Sequence, residues 1–214
     1  MMKKNSKDAI IKAAISLFAT KGFHDTSIRE IAGKAKVNVA NISYYFQNKE
    51  GLLEYCFMAY YENYLKELEK GMCDLNTGAY HALKKVVENL MSFHYQNSHL
   101  ARFILRELSV DSQIVREMMS TYSAKEKYYF TQILEKGMLD REFNKININY
   151  FILQLKSLLS MPFLNSLYIS EVLHIFPHEQ YFADKYLKEI YQWLESALTP
   201  KTIKQKTFIV HYSK

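Results

Sequence analysis

The stretch from Thr26 to Lys49, TSIREIAGKAKVNVANISYYFQNK, constrains the fold more than any other part of the chain. It reads as helix, tight turn, helix. Ser27 and Glu30 fit the S-x-x-E capping pattern, in which each residue satisfies a free N–H of the other. Ile28, Ile31, Ala32 and Ala35 recur at helical spacing and share one face, predicting a helix over 27–35. The turn is Lys36-Val37-Asn38, and Asn38 can cap a second helix over 39–46. A helix so short is not stable alone and must be held by its neighbours. Val39, Ile42 and Phe46 fall on one face for that purpose. Ala40, Asn41 and Tyr44 point the other way, with Ser43 and Tyr45 on the flanks. The outward face therefore carries small, amide and phenol groups and no carboxylate. With Arg29, Lys34, Lys36 and Lys49 around it, such a face suits the major groove of DNA. An ordinary buried helix pair would have no use for it.

The rest of the chain reads as helical. Six glycines and three prolines in 214 residues leave few turn signals, and the apolar content is ample for a core. Ser6 can cap a first helix over 7–20 that Gly22 ends, with Ile10, Ala14, Leu17 and Phe18 as its stripe. Helices 1–3 then form a head over residues 1–50. A linker helix capped by Asn48 runs to residue 71 and enters a body over 72–200. There the spacing predicts helices over 79–96, 98–109, 112–136, 147–166 and 178–198, with Ser98, Asp111, Asn147 and Pro177 at their starts and Gly137 as a stop. Pro162 should kink or end its helix. The basic tail over 201–214 alternates weakly. The fold class is thus all-α.

Charge is uneven. Residues 1–50 carry net +5, residues 51–198 net −3 and residues 199–214 net +4. A basic head on a mildly acidic body points to a polyanion at the head. No apolar run of about 18 residues is present and no signal-peptide pattern follows the first lysines. Cys56 and Cys73 have no metal spacing and read as reduced cytoplasmic thiols. The glycines never cluster, so no phosphate loop is present. His174 and His178 are four apart, but Pro177 breaks the register a metal pair needs. His94 and His99 flank a helix break and read as capping groups. No metal, no cofactor and no enzymatic activity are expected.

The segment GFHDTSIREIAGKAKVNVANISYYFQNKEGLL resembles the TetR family of bacterial DNA-binding proteins, through Gly22-Phe23, Thr26, Ile31-Ala32, Val37, Tyr44 to Phe46, Lys49-Glu50 and Leu52-Leu53. Ser43 stands where many members carry tyrosine. The resemblance implies a homodimer on an inverted-repeat DNA site, built on a four-helix bundle of two helices from each chain. The two greasiest helices, FILQLKSLLSMPFL and YFADKYLKEIYQWLESAL, suit that bundle, with Phe151, Leu155, Leu158, Tyr186, Ile190 and Trp193 as the expected dimerisation residues. At the DNA, Thr26, Ser27, Tyr44, Tyr45 and Lys49 are expected on phosphates, with Arg29 and Ser43 beside them. Asn41 or Asn38 is expected to read adenine, Val39 and Ala40 to meet thymine methyls, and Lys36 to read guanine.

FILREL, MMSTYSAKEKYYF, FILQLKSLLSMPFL, YISEVL and FPHEQYF are similar to a narrower group within the family, found in spore-forming bacilli. Its members bind sites near the replication origin and act in chromosome positioning and division control during sporulation. That resemblance implies a cytoplasmic, nucleoid-associated protein with a protein partner in the division machinery. Arg102, Arg106, Glu107, Arg116 and Glu117 are the candidate partner surface, on helices whose charges otherwise read as a solvated face. The alternative is a ligand-switched repressor, in which the many tyrosines line a small-molecule pocket in the body rather than merely packing there.

Overall fold

The computed structural model describes residues 2–109 and 113–199. The regular structure among them is helical: α1 (Met2–Lys21), α2 (Ile28–Ala35), α3 (Val39–Phe46), α4 (Lys49–Met72), α5 (Ala79–Gln96), α6 (Ser98–Ser109), α7 (Gln113–Leu139), α8 (Ile148–Leu164), α9 (Ser166–Glu171) and α10 (Gln180–Leu198), with a 3-10 turn at Cys73–Asn76.

Helices α1 to α3 close on one small core. Ile10, Ala14 and Phe18 of α1 meet Ile31 and Ala32 of α2 and Ile42 and Phe46 of α3, all buried. Gly22 ends α1 with φ +93°, a conformation that favours glycine, and Phe23 folds back edge-on to Phe18 at 5.4 Å. Gly51, in the first turn of α4, lets that helix start hard against the end of α3. A Cβ there would lie 2.2 Å from the Phe46 carbonyl oxygen.

From this head α4 runs into the body, where it packs along α5 and α7. Leu68, Leu83, Val86, Leu90, Phe130 and Leu134 are fully buried in the body core. At roughly 1.5–3 kcal/mol for each such side chain, they outweigh anything the surface ion pairs contribute. Helix α6 joins body to head: Phe103 stacks on Phe18 at 5.2 Å, and Arg106 Nη2 donates to the Phe18 carbonyl at 2.9 Å.

The pole of the body away from the head is closed by residues just after α7. The Glu142 carboxylate accepts from the N–H groups of Ala79 (2.8 Å) and Tyr80 (2.9 Å), capping α5 from 63 residues away. Asn144 N donates to the Leu198 carbonyl at 2.7 Å, and its side chain donates to the Thr199 carbonyl at 2.9 Å.

Several expectations need correction. Gly137 does not stop α7, which runs on to Leu139. The glycine is there because the Phe143 ring packs against it, and a Cβ would sit 2.1 Å from that ring. Helix α9 was not expected, and α10 starts at Gln180 rather than 178. Asp111 and the tail over 201–214 lie outside the described residues. No helix of the described residues is long and apolar enough to cross a membrane.

The largest correction concerns α8 and α10. Phe151, Leu155 and Ile190 are buried in the protomer's own core, with Leu155 at 0 % exposure. Phe151 stacks on Trp193 at 5.1 Å, and Tyr186 donates to the Leu158 carbonyl at 3.0 Å. Phe151, Leu155 and Ile190 are thus spent on the protomer's own core, while Leu158, Tyr186 and Trp193 are part-buried beside it. The outward stripe of α8 carries Tyr150, Leu153, Met161 and Leu164 instead, all exposed.

Candidate nucleic-acid interface

The α2–turn–α3 unit is built by local hydrogen bonds. Ser27 Oγ accepts from Glu30 N at 3.2 Å, while Ser27 N donates to Glu30 Oε2 at 2.8 Å, so both halves of the capping box form. Lys21 pairs with the same carboxylate. The lysine and the Ser27 bonds hold the Glu30 carboxyl down at about 2, below its usual 4.5. Lys36 turns the chain in the left-handed region, φ 55°, and its N–H reaches back to the Ala32 carbonyl. Asn38 Oδ1 then accepts from Ala40 N at 2.9 Å and caps α3.

Ile42 and Phe46 pin α3 from below. Ala40, Ser43 and Tyr44 face solvent, Tyr44 at 71 % exposure, and Asn41 is half-buried at the edge. Tyr44 and Tyr45 meet edge-on at 5.0 Å, which steadies both rings. Val39 is 40 % exposed and belongs to the outer face, not to the packing face that its spacing suggested.

The expected phosphate set divides. Thr26 is 1 % exposed and its hydroxyl donates to the Gly22 carbonyl at 2.7 Å, so that side chain builds the loop rather than the surface. Lys49 Nζ donates to the carbonyls of Phe23 and Thr26, each at 3.0 Å, and lies over the Phe23 ring at 4.4 Å. Its charge is spent on the loop between α1 and α2. The Ser27 hydroxyl lies 2.9 Å from Glu30 Oε2. Lys34 donates to Ser16 Oγ at 2.7 Å. Among the described residues flanking α2 and α3, Arg29 and Lys36 are the cations whose heads no neighbour engages. Ala40, Ser43 and Tyr44 stand exposed on α3, with Asn41 half-buried among them. Sequence spacing could not separate tethered from free lysines, because the tethers are backbone carbonyls and one serine hydroxyl.

In the body, the candidate partner residues also divide. Arg106 is committed to the Phe18 carbonyl and approaches Glu107 at 3.8 Å. Arg102 and Arg116 are exposed, and the Glu117 side chain lies outside the described residues. Glu126, expected on a solvated face, is buried. It accepts from Tyr64 at 2.7 Å and pairs with Lys156. His94 is no capping group. It is fully buried, and its Nδ1 lies 3.1 Å from the Leu159 carbonyl, so Nδ1 must carry the proton it donates. Burial holds the imidazole neutral, its pKa down at about 4. No group of side chains able to hold a metal is found among the described residues.

A short helix pinned beneath a polar, carboxylate-free outer face, with a capped turn before it, defines a helix-turn-helix DNA-binding head on a helical body. Residues 10–56 match the profile of the bacterial regulatory proteins of the tetR family. YttP, a probable HTH-type transcriptional regulator of Bacillus subtilis (strain 168), is 47% identical over 196 residues, 91% of this chain and 95% of that one. The chain belongs to the TetR family. Among solved structures, a TetR-family regulatory protein from Rhodococcus RHA1 superposes with TM-score 0.74 at 22% identity, covering 91% of this chain and 98% of that one. A HlyIIR variant superposes with TM-score 0.73 at 26% identity, covering 93% and 98%. The fold is that of these two proteins.

Proposed function

We propose that the protein is a dimeric, sequence-specific DNA-binding protein that reads an inverted repeat with α3, and that its role is like that of RefZ, a TetR-like protein of spore-forming bacilli. In that role it would bind origin-proximal sites in the nucleoid and present its body to a partner in the division machinery. Residues 1–50 would form the DNA-binding head, the helix over 49–71 the link, and residues 72–200 the body. The observation that carries the DNA reading is the outer face of α3, where Asn41, Ala40, Val39 and Tyr44 offer amide, methyl and phenol groups, with the free cations Arg29 on α2 and Lys36 in the turn. Asn41 would read adenine, and Lys36 guanine.

The dimer would form on the outward stripe of α8, Tyr150, Leu153, Met161 and Leu164. Exposed apolar side chains in a row cost solubility unless covered, and a two-fold copy covers them with the same surface. Arg102 and Arg116, exposed on the body, would anchor the partner. Mapping bound chromosomal sites in the source cell tests this role. Scattered origin-proximal sites are expected. Binding confined to one promoter would mark a repressor instead.

One observation favours that second reading, a ligand-switched repressor. The body holds a cavity of about 80 Å³ beside His94, Glu126 and Lys156, and the buried Tyr60 hydroxyl in its wall has no hydrogen-bond partner. A ligand group could satisfy it. The volume is well below the roughly 300–1,000 Å³ of most small-molecule sites, which favours the interaction role.

A further inference from the structure

A second cavity, about 330 Å³, lies outside the core between the start of α6, the end of α8 and the approach to α10. Its wall is apolar: Pro162, Phe163 and Pro177 are all buried. Its rim is polar, with His99 and Arg102 from α6 and His178 from the far side. No carboxylate lines it. Arg102 and His99 make no hydrogen bond or ion pair among the described residues. This contrasts with Arg106 one turn further along the same helix, which is committed to the Phe18 carbonyl.

We infer that this cavity is a binding site for a small organic monocarboxylate with a compact apolar body. A guanidinium presents a planar fork that matches a carboxylate in bidentate fashion. Each imidazole offers an N–H to the same group in either protonation state. Pro162, Phe163 and Pro177 take the apolar part, and the volume falls within the usual range for small ligands. One fixed cation matches one negative charge; a dianion would leave a charge uncompensated. The site is separate from the core cavity beside Tyr60. It also bears on the head, since its arginine lies one turn from the clamp on α1.

The test uses the full-length protein without DNA, so its failure would leave the DNA-binding reading untouched. Benzoate, phenyl phosphate and benzyl alcohol are titrated by calorimetry, and the contact region is mapped by hydrogen exchange. Benzoate should bind saturably, with protection over 98–102 and 162–178. Benzyl alcohol should bind roughly tenfold more weakly or worse, as the loss of a charged hydrogen bond requires. Arg102→Gln should weaken benzoate by a similar factor at an unchanged melting temperature. Absence of saturable benzoate binding, equal affinity for the alcohol, or an unaffected Arg102→Gln protein would overturn the proposal. Tighter binding of phenyl phosphate than of benzoate would overturn its monoanion charge rule.

Discussion

Helices α3 and α8 each bury one face and leave the other in water, and the two outer faces could hardly differ more. On α3 the outer face is amide, methyl and phenol, and below it Ile42 and Phe46 are buried. On α8 the outer face is Tyr150, Leu153, Met161 and Leu164, and below it Phe151, Leu155 and Leu159 are buried. Each helix is held in the same way, by apolar side chains at helical spacing. What it can meet is set by the groups left outside. Hydrogen-bonding groups that cost nothing in water suit base edges and phosphates. Leucine and methionine left in water suit another apolar surface.

The sharpest break of this comparison comes from two neighbouring leucines. Leu155→Glu puts a charge into the protomer core and should cost at least about 4 kcal/mol, enough to unfold it in a circular-dichroism melt. Leu153→Glu, at a position 63 % exposed, should keep the melt of a folded protomer yet run as a monomer by light scattering. A fully dimeric Leu153→Glu protein would place the interface elsewhere.

A smaller effect belongs to α3. Asn41→Ala should lose about 1–3 kcal/mol at one base pair in each half-site, seen in a base-by-base binding scan. Uniform weakening over all sequences would make Asn41 a backbone contact.

The two lysines beside α3 sharpen the contrast between free and tethered charge. Lys36→Gln should relax the guanine preference at one base pair of each half-site, lower the salt slope of DNA binding as its charge is lost, and leave the melt unchanged. Lys49→Ala should do the reverse, lowering stability by about 1 kcal/mol as its carbonyl bonds and ring contact are lost, with the slope little changed. Interchanged outcomes would reverse the two assignments.

The smallest effect is a pH dependence in the head. The Glu30 carboxyl is lowered in the fold to about 2, so its contribution is fully present above the ordinary value of 4.5. It is lost as pH falls from there through about 2. The melting difference between the parent and Glu30→Gln should be constant above pH 5 and shrink below it. A difference that grows in acid would show that the capping box is not formed by the carboxylate.

How legible these regions were follows from their patterns. Helices α2 and α3 have one apolar face each, flanked by Ser27, Glu30 and Asn38, so periodicity and capping chemistry located them closely. Helix α8 is apolar nearly all round. Periodicity then finds the helix but cannot tell which apolar face meets its own chain, so spacing alone does not separate the buried Leu155 from the exposed Leu153. Gly137 misled for a related reason. A glycine that ends a helix and one that admits a ring from six residues later look the same in sequence. Lys49 and Thr26 look like surface groups in sequence because their partners are main-chain carbonyls, which leave no mark there.

The closure of the body's far pole has a consequence for how the chain is made. Glu142 caps the start of α5, and Asn144, two residues on, bonds to Leu198 and Thr199. The cap on the start of the body therefore waits for Glu142, and the segment that carries Glu142 is itself tied down only by residues near the body's end. At roughly 5–20 residues per second, several seconds of synthesis separate Glu142 from Leu198. The core of α1 to α3 is completed by Phe103 and Arg106 of α6, which are made well before Leu198. On the proposed dimeric reading, the head thus leaves the ribosome before the body that would pair it with a second copy, and the nascent chain would pass through a stage able to touch only half a site.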